Sequence, residues 1–290
     1  MALSDLSRLV TRAEEVLTRV EALLPEPAVA PDWKGGAAFR WLRRHGRGML
    51  LPVRKPHTIR LKDLCDIDEQ KARIDRNTRQ FLEGRLANNV LLTGARGTGK
   101  SSLVKALLRR YARKGLRLIE VDKTDLIDLP EIIDMVDGRP ERFILFCDDL
   151  SFEEGEVAYK ALKSVLDGSV AEVPDNILIY ATSNRRHLMP EYHDENLMAR
   201  HVDGEVHPAE ATEEKISLSE RFGLWISFYP FSQDEYLAIV AHWLRVFGLD
   251  RASIEAARQE ALQWALMRGS RSGRVAWQFA RDHAGSRSVE

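Results

Sequence analysis

The chain has 290 residues, of which 44% are hydrophobic and 30% charged, and this composition excludes a protein that is disordered throughout. Its 43 lysines and arginines balance 44 acidic residues, which gives no global cationic surface for nucleic acid but is compatible with a local basic patch. No apolar run approaches the ~18 residues of a membrane-spanning helix, and the N-terminal sequence does not predict a secretory signal. The only cysteines, Cys65 and Cys147, form no CxxC motif, which excludes a disulfide framework or a thiolate zinc site. We therefore expect a cytoplasmic protein in a reducing compartment.

Residues 1–36 are predicted to form an amphipathic helix followed by a linker. Apolar side chains recur every seven residues between residues 3 and 24, which indicates a helix with one apolar face. This face could pack on its own domain, or it could dock on a partner as a coiled coil; the sequence favours neither. Residues 25–36 are rich in Pro, Ala and Gly and are typical of a linker. The main heptad positions are Leu3, Val10, Leu17 and Leu24.

Residues 37–232 are predicted to form an α/β core. The pattern of residues 37–56, rich in arginine and histidine, indicates neither helix nor strand. Further along, helical and strand patterns alternate, which predicts a parallel sheet covered by helices on both faces. The predicted helices are residues 68–84, 100–115 and 157–168, and the predicted strands are residues 88–94, 116–121, 142–150 and 176–184.

Two further segments complete the chain. Residues 190–217 are polar and acidic and are predicted to be a loop or mobile insertion. Their histidines, His193, His201 and His207, match no standard metal-site spacing and are expected to be surface residues. Residues 233–290 have helical patterns throughout, which predicts an all-helical C-terminal subdomain.

Residues 94–101 read GARGTGKS and fit the spacing of a phosphate-binding loop between a predicted strand and a predicted helix. Glycines let the backbone N–H groups curve around a phosphate, and the helix N terminus adds a positive dipole. Lys100 is expected to reach the β- and γ-phosphates, and Ser101 to bind Mg²⁺. The candidate nucleotide-binding residues of this loop are Gly94, Ala95, Arg96, Gly97, Thr98, Gly99, Lys100, Ser101 and Ser102.

The segment FILFCDD places Asp148 and Asp149 at the carboxyl end of a predicted buried strand, the edge at which such sheets bind ligands. Asp148 is the expected second Mg²⁺ residue, and Asp149 is expected to polarise the attacking water. Many hydrolases have glutamate at this second position. Aspartate is one methylene shorter, so the sequence does not decide whether Asp149 reaches the attacking water. Glu153 and Glu154 are downstream alternatives.

Three more polar residues are candidates because of their positions. Asn184 ends the fourth predicted strand, where its amide could contact the γ-phosphate or orient water. Arg221 lies between the insertion and an apolar run, and Arg274 lies near the start of a C-terminal helix. Arginine stabilises the charge that spreads over a transferring phosphoryl group.

Taken together and in this order, the motifs resemble those of the AAA+ ATPases. GARGTGKS resembles Walker A, FILFCDD resembles Walker B, and ATSN resembles the strand that carries sensor 1. LSERFG resembles the arginine-finger segment, and SGRVAWQF resembles the sensor 2 helix. The resemblance implies these roles for Asn184, Arg221 and Arg274, respectively. DLCDIDEQKARI is similar to the segment that encloses adenine, which implies that Ile67 lies near the base.

A closer resemblance is to the bacterial AAA+ group described as domain of unknown function 815, which shares the Asp-Asp ending. The AAA+ resemblance implies a P-loop NTPase core with a helical lid that binds ATP and Mg²⁺. It also implies a homo-oligomer in which an arginine from a neighbouring subunit completes the site. The implied activity is hydrolysis of ATP to ADP and phosphate, coupled to remodelling of a macromolecular partner. The N-terminal helix is a candidate contact for a protein partner.

Two other functions are compatible with the residues. The shorter Asp149 favours a nucleotide-dependent binding module with slow or no hydrolysis. A small-molecule kinase would share the P-loop, but the sequence contains no constellation for binding an acceptor. The near-neutral charge neither supports nor excludes a nucleic-acid partner.

Overall fold

The computed structural model describes residues 10–17, 19, 31–33, 35–44, 46–153, 156–168, 174–185, 188, 200–202, 205–207 and 218–287. Of the predicted N-terminal helix, residues 10–17 and 19 are helical, and the remainder lies outside the described residues. Within this segment Val10, Val16 and Leu17 are all at least half exposed. Whether the apolar face of this helix packs on its own domain or on a partner therefore stays open, as in the sequence.

The described residues form nine strands in two sheets. The strands are β1 (Ala38–Arg44), β2 (Arg47–Pro52), β3 (Val90–Gly94), β4 (Leu116–Glu120), β5 (Arg142–Cys147), β6 (Ile177–Ser183), β7 (Arg200–Val202), β8 (Glu205–His207) and β9 (Leu224–Phe228). Seven of them form one sheet in the order β2-β1-β4-β5-β6-β3-β9. Only the β1–β2 pair of that sheet is antiparallel. Strands β7 and β8 form a separate antiparallel pair within the segment that was predicted to be a loop.

Helices lie between the core strands and follow the last of them. The helices are α1 (Asp68–Leu82), α2 (Lys100–Tyr111), α3 (Leu129–Val136), α4 (Val157–Asp167), α5 (Gln233–Val246), α6 (Arg251–Ala256), α7 (Arg258–Met267) and α8 (Gly273–Arg287). Helices α5–α8 confirm the predicted helical C-terminal subdomain, and the mainly parallel sheet confirms the predicted fold class. Helix α3 was not predicted from the sequence.

The central strands separate two hydrophobic cores. Because successive residues of a strand point to opposite faces, Ile144 and Phe146 of β5 pack in one core and Phe143 and Leu145 in the other. All seven residues of β6 are buried. Continuous burial of this kind requires cover on both faces of the sheet, which explains why these strands are apolar without alternation.

The sheet order determines which strand ends become neighbours. Strand β6 lies between β3 and β5, so its carboxyl end separates the glycine-rich loop from the acidic residues. The register pairs Thr93 with Ser183 and Cys147 with Ala181. Asn184, directly after β6, therefore lies between the two predicted halves of the site.

Residues 37–56, which the sequence left unassigned, contain the β1–β2 hairpin at one edge of the sheet. Trp41 of β1 is fully buried, and its Nε1 donates to Oδ2 of the buried Asp128 at 2.9 Å. The Nε of Arg43 lies 3.2 Å from the same oxygen. Asp128 directly precedes α3, so these contacts fix the hairpin to that helix.

We expect Trp41→Phe to lower the free energy of unfolding by about 1–3 kcal/mol, because the buried carboxylate of Asp128 loses a donor. Urea denaturation measures this change. The control is Arg40→Gln, which removes a partly exposed ion pair with Glu120 and should change stability by less than about 1 kcal/mol. Equal losses in the two variants would contradict the anchoring role of Trp41.

Candidate functional site

A cavity of about 1060 Å³ lies between the carboxyl edge of the sheet and the C-terminal helices. The glycine-rich loop, the segment that precedes α1, and helices α5 and α8 all contribute lining residues. The six arginines and lysines of the lining outnumber its three carboxylates, which favours an anionic ligand. The cations are Arg60, Arg96, Lys100, Lys105, Arg109 and Arg274, and the acids are Asp63, Asp148 and Asp149.

The loop has the backbone shape of a phosphate cradle. Gly94, Gly97 and Gly99 have φ values of 120°, 73° and 100°, a region that L side chains rarely adopt. A Cβ at Gly94 would lie 1.9 Å from the carbonyl oxygen of Phe228, so that position has no room for a side chain. Helix α2 begins at Lys100, and its first N–H groups are directed toward the loop. The loop and the N terminus of α2 together are suited to bind an anion at this point.

Lys100 is 5% exposed, and its ammonium group is hydrogen bonded within the site. Its Nζ donates to the carbonyl oxygens of Gly94 and Ala95, each at 2.7 Å, and to Oδ1 of Asn184 at 3.0 Å. Burial lowers the pKa of Lys100 from 10.5 to about 8, although the charges of Asp149 and Asp148 oppose this shift. A phosphate would supply the negative charge that this buried ammonium lacks.

A hydroxyl and a carboxylate meet where Mg²⁺ is predicted. Ser101 Oγ donates to Oδ1 of Asp148 at 2.5 Å, and Thr182 Oγ1 donates to the same oxygen at 2.6 Å. The described residues include no cluster of three or more His, Cys, Asp or Glu side chains suited to a metal. Magnesium usually binds one or two protein ligands together with phosphate oxygens and waters, and Ser101 with Asp148 fits that pattern.

Asp149 and Asn184 connect the acidic strand end to the loop. Asn184 Nδ2 donates to Oδ1 of Asp149, while its Oδ1 accepts from Lys100. Asp149 has a φ of 55°, and its backbone N–H donates to Thr182 Oγ1 at 2.8 Å. An aspartate in this uncommon conformation marks a position where the surrounding contacts determine the backbone.

Two other predicted residues line the same cavity. Arg274, at the start of α8, shares the lining with the loop, and Ile67 is buried in the segment before α1. The helical C-terminal subdomain, α5–α8, also contacts the loop through its backbone, because Gly273 N donates to the carbonyl oxygen of Gly97 at 2.9 Å. This contact was not predicted from the sequence, and no local pattern indicates it.

Arg221 does not line this cavity. Its Nε forms an ion pair with Oδ1 of Asp167, at the end of α4. Among the downstream acids, Glu153 is exposed and does not line the cavity, and Glu154 lies outside the described residues. His193 also lies outside them, whereas His201 and His207 belong to the β7–β8 pair.

Several lining residues were missed by the sequence analysis. Trp243 of α5 and Phe247, which directly follows that helix, line the cavity with their rings stacked at a centroid distance of 6.2 Å. Their spacing of one helical turn was visible in the sequence, but it did not distinguish a cavity wall from a core face. Thr182 was within the quoted ATSN motif, and its hydroxyl contacts became evident only from the packing of β5 beside β6.

The lowered pKa of Lys100 predicts a pH dependence of stability. Between pH 8 and 10.5 the unfolded chain retains the lysine proton that the folded protein has released. Stability should therefore rise with pH in this window, relative to a variant that lacks the amine. Urea unfolding of the wild type and Lys100→Met at several pH values measures the difference. The exposed Lys160→Met serves as the control, and a flat wild-type minus Lys100→Met curve would contradict the prediction.

Among the helices that the structure describes, none combines the length and apolar character needed to cross a bilayer. No curated protein matches the chain.

The solved structures that the comparison finds have low sequence identity to this chain. The chain is 15% identical to Thermotoga maritima RuvB, described as a Holliday junction branch migration motor, with a TM-score of 0.46 over 73% of this chain and 60% of that one. A chain of the E. coli MS115-1 HORMA:CdnC:Trip13 complex is 12% identical, with a TM-score of 0.47 over 80% and 93% of the two chains. A DNA replication initiation factor is 16% identical, with a TM-score of 0.45 over 70% and 59%. The chain thus spans about three-fifths of the RuvB chain.

The family described as "Protein of unknown function (DUF815)" matches residues 34–287. This match covers most of the chain and confirms the resemblance that the motifs indicated. The chain therefore belongs to the DUF815 family.

Proposed function

We propose that this protein binds MgATP in the cavity and hydrolyses it to ADP and phosphate as an oligomeric AAA+ ATPase. The observation that supports this proposal is one hydrogen-bonded network at the N terminus of α2. It connects Lys100 through Asn184 to Asp149, and Asp149 through Thr182 to Asp148 and Ser101. Each of these groups has the chemistry that phosphoryl transfer requires.

Lys100 and the loop would bind the phosphates. In the structure the Lys100 ammonium donates hydrogen bonds to two loop carbonyls. Nucleotide binding would exchange at least one of these for a hydrogen bond to a phosphate oxygen. Ser101 and Asp148 would hold Mg²⁺, which neutralises charge on the β- and γ-phosphates. Arg96 and Arg274, both lining the cavity, would stabilise charge on the triphosphate.

Asp149 would orient the attacking water and accept its proton. Asn184 would fix the Asp149 carboxylate through its amide nitrogen and respond to the phosphates through Lys100. Ile67 and Trp243 also line the cavity and offer apolar surface for the base.

The oligomer and the partner are part of the same proposal. Arg221 lies outside the cavity of its own chain, so a role on the γ-phosphate requires a second copy. The exposed apolar side chains of residues 10–17 make the N-terminal helix a candidate contact for a protein partner. Cys65 and Cys147 are free thiols, which is consistent with the cytoplasmic localisation that we infer.

A nucleotide-dependent binding module is the second candidate. Two observations on Asp149 favour this function. Its carboxylate accepts from the amide of Asn184, and its backbone is left-handed, and together these restrict the reach of a short side chain. Such a module would bind ATP tightly, change the position of its lid and recruit a partner without measurable turnover.

We expect the rate of ATP hydrolysis per molecule to rise with protein concentration, because the proposed site is completed between subunits. Phosphate release at several protein concentrations measures this, with Lys100→Ala as the blank. A rate that is independent of concentration would contradict the oligomeric site. Tight ATP binding with no rate above the blank at any concentration would favour the binding module.

Arg221→Ala should abolish hydrolysis while leaving ATP affinity within about threefold of wild type. Mixing it with Asp149→Asn should restore activity, because each variant supplies the residue that its neighbour lacks. Steady-state phosphate release from the single variants and from their mixture makes the test. Arg258→Ala, which removes an exposed arginine paired with Glu255, is the control. A mixture as inactive as its components would contradict a role in trans.

A further inference from the structure

A second group of basic side chains, two cations and a histidine, lines the cavity away from the glycine-rich loop. We call His57, Lys105 and Arg109 the outer cationic stripe. Lys105 follows Ser102 by three residues and precedes Arg109 by four, so Ser102, Lys105 and Arg109 share one face of α2. Lys105 lies about 7.5 Å beyond Lys100 along the helix axis. The ATPase function proposed above assigns no role to the stripe.

Among the residues that the structure describes, no carboxylate neutralises the two cations of the stripe. Within the part of the chain that the structure describes, no ion pair involves Lys105 or Arg109. The nearby acid of the lining, Asp63, is already held by Arg60, whose Nε lies 3.0 Å from its Oδ2. Asp63 therefore neutralises the charge of Arg60, and the positive charge of the stripe remains in excess.

The remaining contacts position the stripe. An N–H of Arg109 donates to the carbonyl oxygen of Thr58, which holds the segment containing His57 against α2. His57 Nδ1 accepts from the backbone N–H of Ile59 at 3.3 Å. The neutral ring therefore carries its proton on Nε2 and can donate to an anion. Partial burial and the charge of Lys105 both lower the pKa of His57, and an anion at this point would reverse the second effect.

We propose that the outer cationic stripe is a second phosphate subsite, which binds an adenine nucleotide that carries a phosphate on its ribose. The proposal rests on the nucleotide site proposed above. Ser102, Lys105 and Arg109 all line the cavity. A nucleotide whose 5′-phosphates lie on the loop and whose ribose follows this face of α2 would therefore meet Lys105 and Arg109 next. A phosphate on the 2′ or the 3′ oxygen would then meet two cations that have no ion-pair partner among the described residues, together with the His57 donor.

Isothermal titration of the full chain tests this proposal with AMP, adenosine 2′,5′-bisphosphate and adenosine 3′,5′-bisphosphate, and with ATP as the reference. One bisphosphate should bind roughly tenfold or more tightly than AMP, since charge-assisted hydrogen bonds contribute that much. The isomer that binds more tightly than AMP shows which ribose oxygen carries the phosphate. The double variant Lys105→Gln/Arg109→Gln should lose this gain in affinity. Its affinity for ATP should fall by a several-fold smaller factor than its affinity for the bisphosphate.

Arg110→Gln is the matched control, because it removes a charge from the next position of α2 while Arg110 faces Asp75, outside the cavity. It should keep the gain. The proposal is overturned if neither bisphosphate binds more tightly than AMP. It is also overturned if the double variant weakens ATP and the bisphosphates equally, since the stripe would then only attract nucleotides by long-range charge. Absence of ATP binding by the wild type would instead reject the nucleotide site itself, and this subsite with it.

Discussion

The buried ammonium of Lys100 is the constraint on which the rest of the site depends. A charged amine with so little access to water is costly unless hydrogen-bond acceptors surround it. Two of these acceptors are carbonyls of the loop, and the third is the amide of Asn184 on a neighbouring strand. The loop therefore has to curve back on itself, which its glycines permit. The end of β6 also has to lie directly beside it.

The sheet order meets that second requirement. Because β6 is inserted between β3 and β5, one amide side chain can contact both the lysine and the acidic strand end. The same adjacency lets Thr182 donate to Asp148 while it accepts from the backbone of Asp149. Parallel pairing brings carboxyl ends to one edge of a sheet, so residues far apart in sequence form a single polar network there.

The sequence predicted the features that depend on local pattern. The loop, its flanking strand and helix, the acidic strand end and the helical C-terminal region all follow from spacing and periodicity within short windows. It did not predict the hairpin at residues 37–56. Trp41 and its neighbours form a buried strand because β1 pairs with β4, and the indole donates to Asp128, far along the chain. The lid aromatics and the outer cationic stripe were missed for the same reason, since only tertiary packing turns these helix faces toward one cavity.

The contact between the start of α8 and the loop would connect phosphate binding to movement of the C-terminal helices. The carbonyl of Gly97 accepts from Gly273, and a Cβ on Gly97 would lie 2.8 Å from the side chain of Ser272. The loop and the start of α8 are thus packed so closely that neither can change shape alone. Interfaces of this kind shift between discrete arrangements rather than deforming gradually. A phosphate that displaces the loop carbonyls from Lys100 would alter the loop that Gly273 contacts, and this places α8 in a position to move the lid.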